Sequence, residues 1–138
     1  YNGIITKKLM YLREQLVELR SWEVGVFAEF AKQTVLQRAC ERELQMCVEA
    51  VIDVCERILA IASRPPAETS VGTLEKVSEL GLIKNPADYA DMVRFRNFIV
   101  HRYELVDPEI IYDIVKNKLE TFDQFIEEIE LNTAEAEA

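Results

Sequence analysis

The sequence predicts an all-α fold, an up-and-down bundle of four long helices and one short helix. Three observations favour it: apolar residues recur at helical spacing through most of the chain, Asn-Pro and Asp-Pro pairs mark helix starts, and no segment alternates as a strand does. A chain of 138 residues fits one domain and is long enough to bury a core. We therefore expect a single helical domain.

The first helix is predicted over about residues 4–20, because four leucines recur there every three or four residues: Leu9, Leu12, Leu16 and Leu19. A second helical segment is expected to begin at Ser21. Gly25 weakens that segment, since glycine is a poor helix former.

The longest predicted helix runs from about Thr34 to Ser63, with one apolar stripe along it: Leu36, Cys40, Leu44, Cys47, Val51, Val54, Ile58 and Ile61. Three cysteines share one face of this helix: Cys40, Cys47 and Cys55. Seven helical residues rise about 10 Å, which is too far for a disulfide between successive members. We expect them to be buried free thiols, with no metal site.

The second half of the chain is divided by turn residues. Two prolines and a glycine interrupt the helix pattern in residues 64–72. A short helix is then predicted over residues 74–80, with Gly81 after it. Asn85-Pro86 and Asp107-Pro108 each combine an N-cap residue with a proline at the first helical position. They predict helices over about 86–101 and 108–130.

The net charge of −9 argues against a general DNA or nucleic-acid binder. The acids are concentrated from Glu120 onward, where seven acids and no bases occur, and the remainder holds 18 acids and 16 bases. We interpret the last stretch as a solvated helix face and end the domain at residue 130, with 131–138 an acidic, disordered tail. No apolar run reaches the roughly 18 residues of a membrane span, and a cytoplasmic location is expected.

The stretch RFRNFIVHRYELVDPE, residues 94–109, holds the sole histidine, His101, and three arginines. Asn97 and His101 are four residues apart and share a helix face. An imidazole beside a guanidinium suits RNA cleavage: the histidine moves the proton and the arginine holds the phosphate. Basic residues near a helix end are also favoured by the helix dipole alone. Spacing therefore leaves both catalysis and helix capping open.

The order of these residues is more specific than their spacing. RNFIVHRY, residues 96–103, resembles the signature of the HEPN superfamily and of its HepT-like toxins: Arg, a polar residue, three more, His, any residue, Tyr. The segments LQMCVEAVIDVCERILA and LEKVSELGLI resemble that family's long core helix and the short helix before its motif. The resemblance covers about residues 4–130.

The resemblance implies a HEPN-like bundle that forms a homodimer and acts as a metal-independent ribonuclease toxin without a cofactor. It implies an MntA-like nucleotidyltransferase antitoxin as partner, which silences the toxin by AMP transfer to the motif tyrosine. RNA, with tRNA among the candidates, is the implied substrate, and no membrane or DNA partner is expected. The residues that match the motif are catalytic Arg96, Asn97 and His101 and the AMP acceptor Tyr103. Arg94 and Arg102 are candidates for holding RNA phosphates.

Two other interpretations remain at the level of sequence. The chain could be a non-catalytic helical module that binds a nucleotidyltransferase and helps to position its nucleotide or substrate. It could also be an interaction protein that dimerises through helix faces, with the motif serving only as a helix cap. The ribonuclease is expected to cleave RNA. The non-catalytic module is expected to bind its partner without cleaving RNA. In the interaction protein, substitutions of Arg96 and His101 are expected to change stability alone.

Overall fold

The computed structural model describes the backbone of residues 3–100 and 107–137 and the side chains of residues 3–97 and 107–133. Within these ranges the chain forms seven helices and no strand, so the predicted all-α fold is confirmed. The helices are α1 (Gly3–Ser21), α2 (Phe27–Phe30), α3 (Thr34–Ile61), α4 (Ser70–Glu79), α5 (Ala87–Val100), α6 (Pro108–Asn117) and α7 (Glu120–Glu137).

Helix α3 is the centre of the bundle and contacts α1, α2, α4, α5, α6 and α7. Its predicted stripe is buried from Cys40 to Ile58, whereas Leu36 is half-buried and Ile61 is exposed at the ends. The three cysteines are buried free thiols, as predicted. Burial raises the pKa of the Cys40 thiol to about 11 and, with a contribution from Glu43, that of Cys47 to about 12.

The segment after α1 is less helical than the sequence suggests. The second helix does not begin at Ser21, because Gly25 adopts a left-handed φ of 63° and helix forms only over the four residues of α2. The carbonyl of Gly25 accepts a hydrogen bond of 2.7 Å from the Tyr112 hydroxyl, and the Tyr112 ring packs edge-on against Phe27 at 5.4 Å. The turn is thereby fastened to α6.

The predicted helix over 108–130 is two helices. Lys118 leaves the helical conformation with φ −126°, and its N–H bonds to the Ile114 carbonyl. Buried apolar residues nevertheless continue at helical spacing across the break: Ile111, Val115, Leu119, Phe122, Ile126 and Ile129. Because the spacing is uninterrupted, it gave no signal of a break.

Helix α7 continues past the predicted end at residue 130, as far as Glu137. The Asn132 amide donates to the Leu82 carbonyl at 3.0 Å, and the Thr133 side chain is buried. The expectation that the helix ends at residue 130 is therefore wrong. The division into a domain over 1–130 and a tail over 131–138 stays a prediction.

Helix α7 is tied to its neighbours by its acids. Glu130 binds Arg13, with one contact of 2.7 Å, and Asp123 binds Arg20. Arg13 and Arg20 are seven residues apart on α1, and their partners are seven residues apart on α7 in the reverse order. The two helices therefore run antiparallel. The acidic face of α7 is thus in part a set of ion pairs with α1, rather than only the solvated surface that the charge pattern suggested. In the described part of the chain, no helix is long and apolar enough to cross a membrane.

Candidate functional site

Helix α5 carries the first half of the motif. The Asn85 side chain accepts a hydrogen bond of 3.2 Å from the Ala87 N–H, which is the capping role that the sequence predicted for it. Tyr89 and Val93 are fully buried and hold α5 against the core. Arg96 follows about one turn after Val93 and two turns after Tyr89, so the packing of α5 against the core fixes its position.

Arg96 is bound to an acid on the central helix. Its Nε donates to Oε1 of Glu49, on α3, at 2.7 Å. The side chains of Arg96 and Glu49 are 32% and 31% exposed, so the pair is about two-thirds withdrawn from water and screened less than a surface pair. Nη1 of Arg96 also lies 3.4 Å from Oδ1 of the adjacent Asn97, a long contact. The structure therefore brings together the predicted residues Arg96 and Asn97, with Glu49 as a third member.

Arg94 is not part of this cluster. It is exposed and pairs with Asp91 one turn earlier on α5 at 3.3 Å. Two helical residues are separated by about 200° around the axis, so Arg94 and Arg96 project from nearly opposite sides of α5. A phosphate held by Arg96 would not be shared by Arg94 of the same copy.

The remaining predicted site residues, His101, Arg102 and Tyr103, lie outside the described residues. The helices that flank them are described. Helix α5 extends to Val100, and α6 starts after Asp107, whose carboxylate accepts a hydrogen bond of 2.9 Å from the Glu109 N–H. Asp107 therefore caps α6 as its Asp-Pro pair predicted, whereas the predicted end of α5 near residue 101 falls outside the described residues.

A separate cavity of about 480 Å³ lies between α3, α5 and α6. Its walls are largely apolar and include Leu44, Val48 and Phe95. Its charged lining is mainly acidic, because three carboxylates, those of Asp88, Asp91 and Asp113, stand against one cation, Lys118, which pairs with Asp113. Carboxylates repel phosphate, so this cavity is a poor place for RNA. The cluster around Arg96 is the better candidate for phosphate chemistry.

Glu49 was not identified from the sequence, although the sequence contains a signal for it. It is the single charged residue in CVEAVI, residues 47–52, whose five other members are all buried. A charge in such a stretch needs a partner, because an unpaired buried charge is costly. The pattern indicates that Glu49 has a partner but cannot say which residue it is.

The chain resembles known proteins over most of its length. Residues 12–129 match the family model described as "Ribonuclease HepT-like". The chain is 28% identical over 130 residues to the mRNA nuclease HepT of Shewanella oneidensis, covering 93% of this chain and 97% of that relative.

Solved structures resemble the whole fold. A tri-AMPylated Shewanella oneidensis HEPN toxin in complex with an MNT antitoxin superposes with a TM-score of 0.83 at 26% identity, covering 95% of this chain and 99% of that one. A toxin–antitoxin complex with AMP-PNP also gives 0.83 at 26% identity, with 94% and 99% covered. The likeness spans the helices that position Arg96 and is not confined to the motif.

Proposed function

This chain belongs to the Ribonuclease HepT-like family, and we propose that it is the ribonuclease toxin of a toxin–antitoxin pair in the cytoplasm. The observation that carries the proposal is the Arg96 guanidinium, which is bound to Glu49 at Nε and stands five residues before the motif histidine in the sequence. Buried free cysteines in the described part of the chain suit a reducing compartment.

The proposed reaction is attack of a ribose 2′-hydroxyl on the adjacent phosphorus. The 2′-oxygen forms a bond to phosphorus, the bond to the 5′-oxygen breaks, and the products are a 2′,3′-cyclic phosphate and a 5′-hydroxyl. Arg96 holds the phosphate and stabilises the additional negative charge of the transition state. Asn97, in contact with Arg96, supports it.

His101 moves the protons in this proposal. One imidazole takes the proton from the 2′-hydroxyl, and an imidazolium gives one to the departing 5′-oxygen. In a homodimer, the two copies of His101 divide these roles in a shared cleft. Arg94 and Arg102 hold flanking phosphates, and because Arg94 projects from the opposite side of α5, it serves RNA beyond the reacting phosphate. Its exposed pair with Asp91 is weak enough to exchange for phosphate.

Tyr103 is the proposed silencing site. An MntA-like nucleotidyltransferase would transfer AMP from ATP to the tyrosine hydroxyl, with pyrophosphate as the leaving group. The added nucleotide places negative charge and bulk two residues after His101 in the chain, where RNA phosphate would bind. Substrate is then excluded by both repulsion and occlusion.

The central test is cleavage of total RNA by the purified protein in EDTA. The wild type is expected to cleave, and His101→Ala and Arg96→Ala are each expected to lose at least about 100-fold in rate. Arg13→Ala is the matched control, because it removes another paired arginine, on α1, whose partner is Glu130 of α7. Wild-type protein that binds RNA without cutting it would favour the non-catalytic module instead.

The silencing step is tested by incubating the toxin with an MntA-like partner and ATP. Wild-type toxin is expected to gain mass in multiples of AMP and to lose RNA cleavage. Tyr103→Phe is expected to keep its cleavage activity and to gain no mass. If Tyr103→Phe is still silenced and labelled, another residue is the acceptor.

A further inference from the structure

The geometry points to Glu49 as the positioning residue for Arg96: we propose that this carboxylate on α3 orients the guanidinium for phosphate binding and does not itself touch RNA. The inference rests on the proposed ribonuclease function and adds a residue that the motif does not contain. It starts from the 2.7 Å contact between Arg96 Nε and Glu49 Oε1, which joins residues 47 positions apart.

The edge of the guanidinium that Glu49 occupies is the first argument. An arginine has one N–H at Nε and four on its two Nη atoms. The two Nη atoms form one edge that can bind two oxygens of a phosphate or carboxylate. Glu49 takes the Nε group alone. Among the described residues, the two Nη atoms make one hydrogen-bond contact, the long contact of 3.4 Å between Nη1 and Asn97. The pairing with Glu49 thus leaves the edge formed by Nη1 and Nη2 unoccupied by that carboxylate, and a phosphate can bind there.

The second argument is the rigidity of the support. Glu49 lies in the middle of α3, and its sequence neighbours Val48 and Ala50 are both buried. An arginine side chain has several rotatable bonds, and ordering its guanidinium in the transition state costs free energy. A carboxylate fixed on the core helix orders the guanidinium beforehand. Misplacement by about 1 Å can cost about 100-fold in rate.

The charge of Glu49 has an opposite effect on RNA binding, and this makes the proposal testable. The Glu49 carboxylate is negative and repels the RNA backbone, so its removal should leave RNA binding equal or tighter. A residue that contributed only to RNA affinity, or only to stability, would not behave in this way. Loss of cleavage rate without loss of RNA affinity is therefore the signature of positioning.

A matched control stands one turn further along α3. Asp53 pairs with Lys8 of α1 at 3.3 Å, so it is also a carboxylate on α3 that binds a cation on another helix. It makes no contact with Arg96. Substituting Asp53 removes an ion pair of the same kind from the same helix and leaves the motif arginine untouched.

The experiment compares Glu49→Ala, Glu49→Gln and Asp53→Ala. Single-turnover cleavage and affinity for a non-cleavable RNA carrying 2′-O-methyl groups are measured for each, with thermal unfolding as a check on the fold. Glu49→Ala is expected to cleave about 10- to 100-fold more slowly with RNA affinity unchanged or higher. Glu49→Gln keeps an acceptor for the Nε–H and is expected to recover most of the rate, and Asp53→Ala to match the wild type.

Two further measurements separate this inference from the proposed function. In an Arg96→Ala background, Glu49→Ala is expected to cause no additional loss, because the residue acts through Arg96. The ¹⁵N signal of Arg96 Nε–H, assigned by its disappearance in Arg96→Lys, is expected to be protected from exchange in the wild type and not in Glu49→Ala.

The outcomes are distinguishable. Equal cleavage rates in Glu49→Ala and Asp53→Ala, or a weakened RNA affinity that accounts for the whole loss, would overturn the positioning role while the ribonuclease function stands. Wild-type protein that does not cleave RNA overturns the proposed function. In that case the Arg96 Nε–H signal still decides whether Glu49 holds the guanidinium.

Discussion

Arginines of α1 and α5 bind carboxylates on other helices in two different ways. On α1, Arg13 uses both Nη atoms to bind both oxygens of Glu130, and Arg20 does the same with Asp123. On α5, Arg96 binds Glu49 through Nε alone. The first arrangement occupies the edge formed by the two Nη atoms, which is one of the two edges that can bind a phosphate, and the second leaves that edge unoccupied by the carboxylate.

This difference indicates which arginine can present its two Nη atoms to a substrate while it stays bound to its carboxylate. A guanidinium engaged end-on must break two hydrogen bonds before a phosphate can take the edge formed by its two Nη atoms, whereas one engaged at Nε keeps that edge without breaking its bond to the carboxylate. All three arginines pair with acids and all three are partly exposed, so charge does not distinguish them and exposure separates them only by degree. The edge used is the distinguishing feature.

The strongest test of this comparison is to replace each arginine by lysine, which keeps the charge. A lysine ammonium is a point charge that cannot hold Glu49 and a phosphate with the geometry of a guanidinium. Arg96→Lys is expected to lower single-turnover RNA cleavage by about 100-fold. Arg20→Lys is expected to stay within about two-fold of the wild type. Comparable losses in both variants would mean that the edge used does not matter.

Sequence reasoning succeeded where the signal was local. Asp107 caps α6 as its Asp-Pro pair predicted, and the cysteine stripe of α3 is buried as its spacing predicted. It failed where the partner is distant: Glu49 and Arg96 are 47 residues apart, and Asn132 and Leu82, whose contact extends α7, are 50 apart. Spacing within one helix carries no information about which helix packs beside it.

Titration at alkaline pH tests a second contact of an α7 carboxylate, the hydrogen bond between Glu128 and the Tyr89 hydroxyl. Tyr89 donates a hydrogen bond to Glu128, and burial, with that bond and the carboxylate charge, raises the pKa of the Tyr89 hydroxyl well above its usual value of 10.0. Unfolded protein therefore loses this proton near pH 10 while folded protein keeps it. The resulting stability is complete below pH 10 and is lost as the pH rises above it, by up to about 1.4 kcal/mol per pH unit.

The measurement is urea unfolding at a series of pH values from 8 to about 11. The cysteine thiols, whose pKa values are also raised, contribute to the slope in every variant. Tyr89→Phe has no proton to lose at this position, so its stability is expected to fall less steeply above pH 10 than that of the wild type. Parallel slopes would show that the pKa of the Tyr89 hydroxyl is not raised in the folded protein.

At neutral pH the same substitution measures the bond itself. Glu128 accepts from the Tyr89 hydroxyl and, at 3.0 Å, from the Lys84 backbone N–H, so it fastens α7 to the start of α5. Tyr89→Phe keeps the packing of the buried ring against Phe125 and removes one donor to a charged acceptor. We expect a loss of about 1.5–3 kcal/mol in the free energy of unfolding, measured with urea at pH 7. RNA cleavage is expected to be unchanged, since Glu128 does not contact Arg96.

The smallest effect is expected from the exposed pairs between α1 and α7. The side chains of Arg13 and Glu130 are 49% and 43% exposed, and water and salt screen their attraction. Arg13→Ala should therefore reduce the free energy of unfolding by at most about 1 kcal/mol, and the difference from the wild type should shrink in 1 M NaCl, where the Debye length is about 3 Å. Cleavage by Arg13→Ala is expected to equal that of the wild type at each salt concentration. A loss that persists in high salt would instead assign Arg13 a packing role, because its aliphatic stem, unlike its charge, is not screened.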